Sequence, residues 1–197
     1  MQDVFREAVN LLEKDDQLVV ATVIRTKGST PQKPGAKLLV RKDGSGVGTL
    51  GGGCVEGDIW FAASQLMKRG GSAQYREYQL NEDLAADDGL VCGGTMYFLI
   101  DPVYKPEDYL DFAKEIDAAY RGEGAVAVAN LIKPAPGSDV PLGGKMFIRE
   151  DGFTEGTLGD SEMDEAAKAK AIELMVHGKN EYIIAENGAE YFVEAFT

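Results

Sequence analysis

Eleven consecutive residues, Gly48-Thr49-Leu50-Gly51-Gly52-Gly53-Cys54-Val55-Glu56-Gly57-Asp58, place a glycine run, a thiol and a carboxylate at what reads as the start of a helix. Glycine lets the backbone approach a ligand closely, and a helix start gathers unpaired N–H donors at the positive end of the dipole. A thiol adds a soft, redox-active ligand, so the stretch is suited to an anion or a metal complex. The chain's second and last cysteine has a matching context in Val91-Cys92-Gly93-Gly94. From Arg25 to Lys42 stand Arg25, Lys27, Lys33, Lys37, Arg41 and Lys42 with no acid, in a chain of formal charge −13. A basic loop near an amide-rich helix start is a receptor for phosphate or another oxyanion. Solvated surface charges are the plainer alternative for each lysine.

Each feature also has a purely structural explanation. Three glycines can simply make a tight strand-to-helix turn, and this run matches neither the P-loop pattern nor Gly-x-Gly-x-x-Gly. Cys54 is also readable as a small buried apolar residue, and Glu56 as a first-turn partner of the helix dipole rather than an acid or base. His177, the sole histidine, falls at a helix end where a positive side chain suits the dipole, which leaves imidazole dyads hard to assemble. Trp60 reads as core.

The elements that must position these residues emerge from an internal repeat. Gly35–Gly51 aligns without gaps on Gly143–Gly159, an offset of 108, with nine of seventeen positions identical. The same offset carries Val20–Arg25 onto Val128–Lys133 and Gly70 onto Gly178. Each copy opens with apolar residues at helical spacing (Phe5, Ala8, Val9, Leu12; Tyr109, Phe112, Ala113, Ile116, Tyr120). A β-branched run follows at Leu18–Ile24 and Ala125–Ile132, then Lys37–Arg41 and Lys145–Arg149, each turning back at Asp-Gly. A second helix buries Ile59, Ala63, Leu66 and Met67, or Ala167, Ala171, Leu174 and Met175, and two strands close each copy: Gln74–Leu80 with Thr95–Asp101, and Glu181–Ala185 with Tyr191–Ala195. The expected fold is α+β, two related αβββαββ units at 1–104 and 105–197 around mixed or antiparallel sheet, since the hairpin connections are too short for parallel crossovers.

The copies differ where the chemistry lies. At Gly52-Gly53-Cys54-Val55-Glu56 the second copy reads Asp160-Ser161-Glu162-Met163-Asp164, ordinary helix-start residues among which Asp160 or Ser161 caps and an anion is repelled. The first copy also inserts the acidic loop Asn81–Gly94 between its closing strands, and that loop carries Cys92. Composition narrows the function further. An acidic chain of 197 residues argues against nucleic acid and anionic membrane surfaces as partners. No apolar run is long enough to span a bilayer, and the N-terminus lacks a signal pattern, which places the chain in the cytoplasm with its cysteines reduced.

Taken together, Gly28-Ser29-Thr30-Pro31, Pro34-Gly35-Ala36-Lys37, Gly48–Glu56 and Gly89-Leu90-Val91-Cys92-Gly93-Gly94 resemble the N-terminal domain of the XdhC/CoxI family, accessory proteins for xanthine dehydrogenase and aerobic carbon monoxide dehydrogenase. The second copy, through Thr157-Leu158-Gly159-Asp160, is similar to the middle region of longer members, which continue into a Rossmann-like domain about where this chain stops at Phe196-Thr197. The resemblance implies a non-enzymatic chaperone that binds molybdenum cofactor (molybdopterin, transiently held), assists exchange of an oxo for a sulfido ligand, and hands the cofactor to an apo molybdenum hydroxylase of xanthine dehydrogenase type. A sulfurtransferase partner and a homodimer are within its scope.

The implied ligand carries a phosphate and an oxidised metal, which suits a cofactor site of Gly51, Gly52, Gly53, Cys54, Glu56, Cys92, Gly93, Gly94, Lys33 and Lys37, with Cys54 as a molybdenum-proximal thiolate. A thiol-disulfide protein cycling Cys54 and Cys92, and a non-catalytic interaction domain, are the alternatives. A gel-shift thiol count after mild oxidation separates the first: a redox pair loses both thiols together, whereas a carrier keeps two free thiols.

Overall fold

The computed structural model describes residues 1–80 and 93–197, so the loop from Asn81 to Cys92, and with it Cys92, lies outside the described residues. The chain divides into two compact units, Met1–Leu110 and Asp111–Thr197. In the first, helix α1 (Gln2–Leu12) is followed by strands β1 (Leu18–Lys27), β2 (Lys37–Arg41) and β3 (Gly46–Gly48), helix α2 (Gly53–Arg69), and strands β4 (Gln74–Gln79) and β5 (Thr95–Val103). A short 3₁₀ turn at Pro106–Asp108 leads to α3 (Leu110–Ala119), and then β6 (Val126–Lys133), β7 (Lys145–Arg149), β8 (Thr154–Gly156), α4 (Ser161–Met175), β9 (Asn180–Ile184) and β10 (Glu190–Phe196) repeat the order. The fold is therefore α+β with the αβββαββ succession expected twice over, and all described strand pairings are antiparallel.

The sheets have matching strand orders, β3-β2-β1-β5-β4 and β8-β7-β6-β10-β9. Because β3 and β4 lie on opposite edges, α2 must cross one face of its sheet to join them. That face receives Val19, Ala21, Val23, Leu38 and Val40, which pack with Ile59, Ala63 and Leu66 of α2 and with Met96, Phe98 and Ile100 of β5. Leu18, Val20 and Leu39, which alternate with them, are buried too, as are Val4, Phe5, Ala8 and Leu12 of α1, which packs on β2 and β3. Burial on both faces is why β1 reads as a continuous apolar run rather than an alternation. The second unit repeats the arrangement with Ala127, Ala129 and Leu131 under Ala167, Ala171 and Leu174.

The largest strand-boundary difference from expectation lies in β1, the other strands with expected bounds starting and ending within two residues of them. β1 continues through Arg25, Thr26 and Lys27, which pair with Tyr97, Met96 and Thr95 beyond a register shift after Val23. These polar residues remain in the strand because β5 supplies their backbone partners, with Arg25 and Lys27 each 5.7 Å from the Tyr97 ring centroid.

The repeat extends to individual interactions. Arg41 on β2 bonds Glu7 of α1 at 2.7 Å, and Arg149 on β7 bonds Glu115 of α3 at 2.6 Å, each pair 108 residues from its counterpart. The amides of Gly35 and Gly143 donate to the Val23 and Leu131 carbonyls, both at 2.7 Å. At Gly48 (φ 96°) and Gly156 (φ 85°) an added Cβ would collide with the carbonyl oxygens of Lys37 and Lys145. Among the described residues, no helix is long and apolar enough to cross a membrane.

These two glycines are demanded by the fold, so Gly48→Ala and Gly156→Ala are each expected to cost about 2 kcal/mol or more in urea unfolding. Gly44→Ala, also at positive φ (86°) but with open space around it, is expected to cost about 1 kcal/mol.

Candidate functional site

The approach to α2 is built on a carboxylate. Glu56, in the first turn, turns its Oε2 back to accept from Thr49 Oγ1 (2.6 Å), Leu50 N (2.6 Å) and Gly52 N (3.0 Å). Thr49 Oγ1 also accepts from Gly51 N at 3.1 Å, and Leu50 is buried beneath the turn. In the second unit Asp164 makes the equivalent bonds to Thr157 Oγ1 (2.6 Å) and Leu158 N (2.7 Å). Glu56, expected among the ligand-binding residues, thus has its Oε2 engaged in a local clasp that the second unit also contains.

The glycines separate by role. Gly51 (φ 109°) is pressed against the Pro31 ring, where an added Cβ would sit 2.8 Å from ring carbons. Its counterpart Gly159 (φ 100°) is likewise crowded, by Ser138 and Val140, so this glycine belongs to the fold. Gly52 (φ 75°) and Gly53 (φ 71°) continue the left-handed run in the first unit alone, while Asp160 in the second has φ −147°. Open space lies beside Gly52. The two helix starts differ accordingly. Asp160 caps α4 by accepting from Met163 N, whereas Gly52 offers α2 no side-chain cap. The first-turn amides of α2 are therefore left to another acceptor, and the one reactive side chain among them, the Cys54 thiol, is free and exposed.

One further segment touches this turn, and is itself met by another. The loop after β1, fixed by Thr30 Oγ1 donating to the Gln32 carbonyl at 2.9 Å, touches Gly51 through Pro31 and Gln32. The other end of that loop meets Gly94: a Cβ on Gly94 would collide with the Lys27 and Ser29 carbonyl oxygens, and one on Gly28 would lie 3.2 Å from Gly94 Cα. Gly93 borders open space. The structure thus brings Gly28–Pro31, Gly51–Cys54 and Gly93–Gly94 into a continuous arrangement, with Lys33 exposed on the same loop.

Lys37 is not brought to it. Its strand neighbours Leu38 and Val40 share the core with α2, so Lys37 falls on the other face of the sheet. There it is 6% exposed, donates to Thr22 Oγ1 at 3.2 Å and lies 6.0 Å from the Phe5 ring centroid. Arg25 and Lys27 share the Tyr97 ring on that face as well, and Arg41 is held by Glu7. The expected basic wall is therefore reduced, at this turn, to Lys33. Register gathers Arg25, Lys27, Lys37 and Arg41 on the face away from α2, because alternate residues of β1 and β2 share a face.

A pair that the sequence reading passed over stands near the thiol. Asp58, one helical turn beyond Cys54, accepts from Tyr78 Oη of β4 at 2.5 Å. Burial, then the hydrogen bond and charge of Asp58, push the Tyr78 phenol up to about 12. The signal was available: at the offset of 108 Asp58 becomes Ala166, so this carboxylate, like Cys54, is absent from the second copy. Among the described residues no group of three or more His, Cys, Asp or Glu is placed to hold a metal ion.

The model of the XdhC and CoxI family matches residues 11–79 and 119–185, two segments that begin at equivalent points of the repeat. The chain belongs to the XdhC and CoxI family. Among relatives, it is 29% identical over 122 residues to a probable xanthine dehydrogenase subunit of Bacillus subtilis strain 168, covering 61% of this chain and 37% of that protein. It is 35% identical over 92 residues to the molybdenum cofactor insertion chaperone PaoD of Escherichia coli K12, covering 46% of this chain and 28% of PaoD. A crystal structure of a xanthine dehydrogenase from Bacillus halodurans shares the fold with a TM-score of 0.63 at 23% identity, over 96% of this chain and 52% of the other. The XdhC/CoxI chain thus spans about half or less of the length of these proteins.

The Glu56 clasp has a pH signature. Burial raises the Glu56 carboxyl, but the bonds from Thr49 and from the Leu50, Gly52 and Gly51 amides outweigh it and hold the group below its ordinary value of 4.5. A pKa depressed by folding contributes stability fully above the ordinary value and loses it as pH falls through the folded one. Glu56→Gln is expected to lower unfolding free energy by about 1–2 kcal/mol near neutrality, with the gap to wild type narrowing below pH 4.5. Thermal unfolding of both proteins across pH 3 to 7, roughly the carboxylate range and above, checks this.

Proposed function

We propose that this XdhC/CoxI chain is a non-catalytic carrier that binds molybdenum cofactor at the Gly51–Cys54 turn during maturation of a molybdenum hydroxylase. The observation that carries the reading is the uncapped start of α2: left-handed Gly52 and Gly53, open space beside Gly52, and an exposed Cys54, all where the second unit has a capped, acidic helix start. Molybdopterin fits this donor set, because a phosphate is met by free amides and a soft metal centre by a thiol. Gly53 and the other first-turn amides of α2 would hold the phosphate on the open side of Gly52, whose own amide is held by Glu56, with Lys33 as the nearby cation and Gly93–Gly94 bordering the loop that carries Pro31 and Lys33.

When bound, the cofactor supplies a dithiolene-held molybdenum with exchangeable oxo or sulfido ligands. The chain's part is to bind, orient and shield it, with the Cys54 thiol facing the metal end. The name of the PaoD relative and family membership support delivery to an apo-enzyme of xanthine dehydrogenase type. Assistance with sulfuration, in concert with a sulfurtransferase in the cytoplasm, completes the proposal.

Protein prepared without oxygen is expected to retain molybdopterin, read as pterin fluorescence after oxidative release together with bound molybdenum. Cys54→Ala and Gly57→Glu should each lower retention at least about fivefold, equivalent to roughly 1 kcal/mol. Gly57 is chosen over Gly53 because it is an exposed helical position with open space, so a side chain there adds no strain. Gly57→Ala serves as the control, expected to keep retention and to gain about 0.5–1 kcal/mol of stability. A wild type that holds no pterin ends the proposal.

A further inference from the structure

We infer that the groove at the start of α4, in the second unit, docks an extended segment of a partner protein in which basic and aliphatic residues alternate. This groove, of about 600 Å³, lies between the first turn of α4 and the end of β9 with its following turn. It occupies the place in the second unit that the Cys54 turn occupies in the first, since Asp160, Glu162 and Ala166 stand at the offset positions of Gly52, Cys54 and Asp58. Where the first unit has a glycine, a thiol and a carboxylate at these positions, the second has two carboxylates and an alanine.

Its walls are apolar. Met163 and Tyr191 are buried in the unit's core and form the base, with Ile183 packed against them. Ile184 is 62% exposed at the rim. The polar margin is acidic: Asp160 is committed to capping α4 through Met163 N, while the side chains of Glu162 and Glu186 have no hydrogen bond or ion pair among the described residues. Two solvent-exposed carboxylates with no cationic protein partner among the described residues, beside an exposed isoleucine, favour a ligand that is cationic and aliphatic at once. The backbone adds a third requirement. β9 is an edge strand bonded within its sheet only to β10, so its other edge presents N–H and C=O groups to an extended chain. A segment pairing with β9 places alternate side chains over Ile183 or Ile184 and brings its cations to Glu162 and Glu186. A bare cation would satisfy the carboxylates alone, and the described residues offer it no cluster of three donors.

The probe is a fluorescein-labelled octapeptide alternating lysine and valine, with a glutamate-for-lysine counterpart, titrated into the full chain by anisotropy and by amide NMR spectra. The lysine peptide is expected to bind and to shift resonances of β9 and the first turn of α4, and the glutamate peptide to do neither. Glu162→Lys with Glu186→Lys should weaken binding at least about tenfold, whereas Glu107→Lys with Asp108→Lys, the same charge change on other exposed residues, should weaken it less than about threefold. Ile184→Ser should weaken it at least about fivefold. Equal losses in both double variants would mean attraction to an acidic chain at large, and would overturn the inference. So would shifts confined to other surfaces, absence of binding, or a concentration-dependent dimer that Ile184→Ser abolishes, since the groove would then belong to a second copy.

Discussion

A single carboxylate, reaching back from the first turn of a helix to the turn that precedes it, fixes the geometry on which each unit depends. Glu56 and Asp164 draw a threonine hydroxyl and a leucine amide toward themselves, and the leucine is thereby pinned into the core. That contact determines where the helix starts, and the helix must then cross the sheet from β3 to β4, or from β8 to β9. The acidic group also lies in the first helical turn, where the macrodipole favours it. Gly52, Gly53 and Cys54, which the second unit lacks, lie between the threonine and this carboxylate, in a span whose two ends are already held.

Duplication separates what the fold requires from what it merely permits. Gly48 and Gly51 have counterparts in the same strained conformation and the same crowded surroundings, so packing accounts for them. Gly52, Gly53, Cys54 and Asp58 have none. A helix that can begin with Asp160 has no structural need of a glycine pair, and the glycines give up a hydrogen bond in the exchange. Such a loss is expected at a functional position, where local rules are broken and the surrounding structure holds the break in place.

Much of this was legible in the sequence. The offset of 108 revealed the αβββαββ succession that the structure repeats, and strands β2 and β7 were bounded as found, because Asp-Gly turns and charged strand ends mark them. The glycine–cysteine turn was located as well. The composition of its surroundings was not. A linear run of six cations from Arg25 to Lys42 suggests one basic wall, but Lys37 bonds Thr22 on the face away from α2, and Arg25 and Lys27 share the Tyr97 ring there. Sequence gives the period of a strand without saying which face a given helix covers, least of all for β1, which is apolar on both. The Asp58–Tyr78 contact escaped for a related reason: it joins a helix to a strand 20 residues away, and neither residue belongs to a recognisable motif.

The missing cap on α2 has a thermodynamic meaning. A capping side chain typically contributes about 1 kcal/mol, near a fivefold change in an equilibrium constant, and the first unit forgoes it. Any anion that settles on those amides restores this amount, so ordering of the helix start and affinity for cargo become one quantity measured in two ways. A few donors on a turn that is otherwise complete without its ligand make a grip of limited strength. In the carrier role proposed above, limited grip would allow release without a separate source of energy.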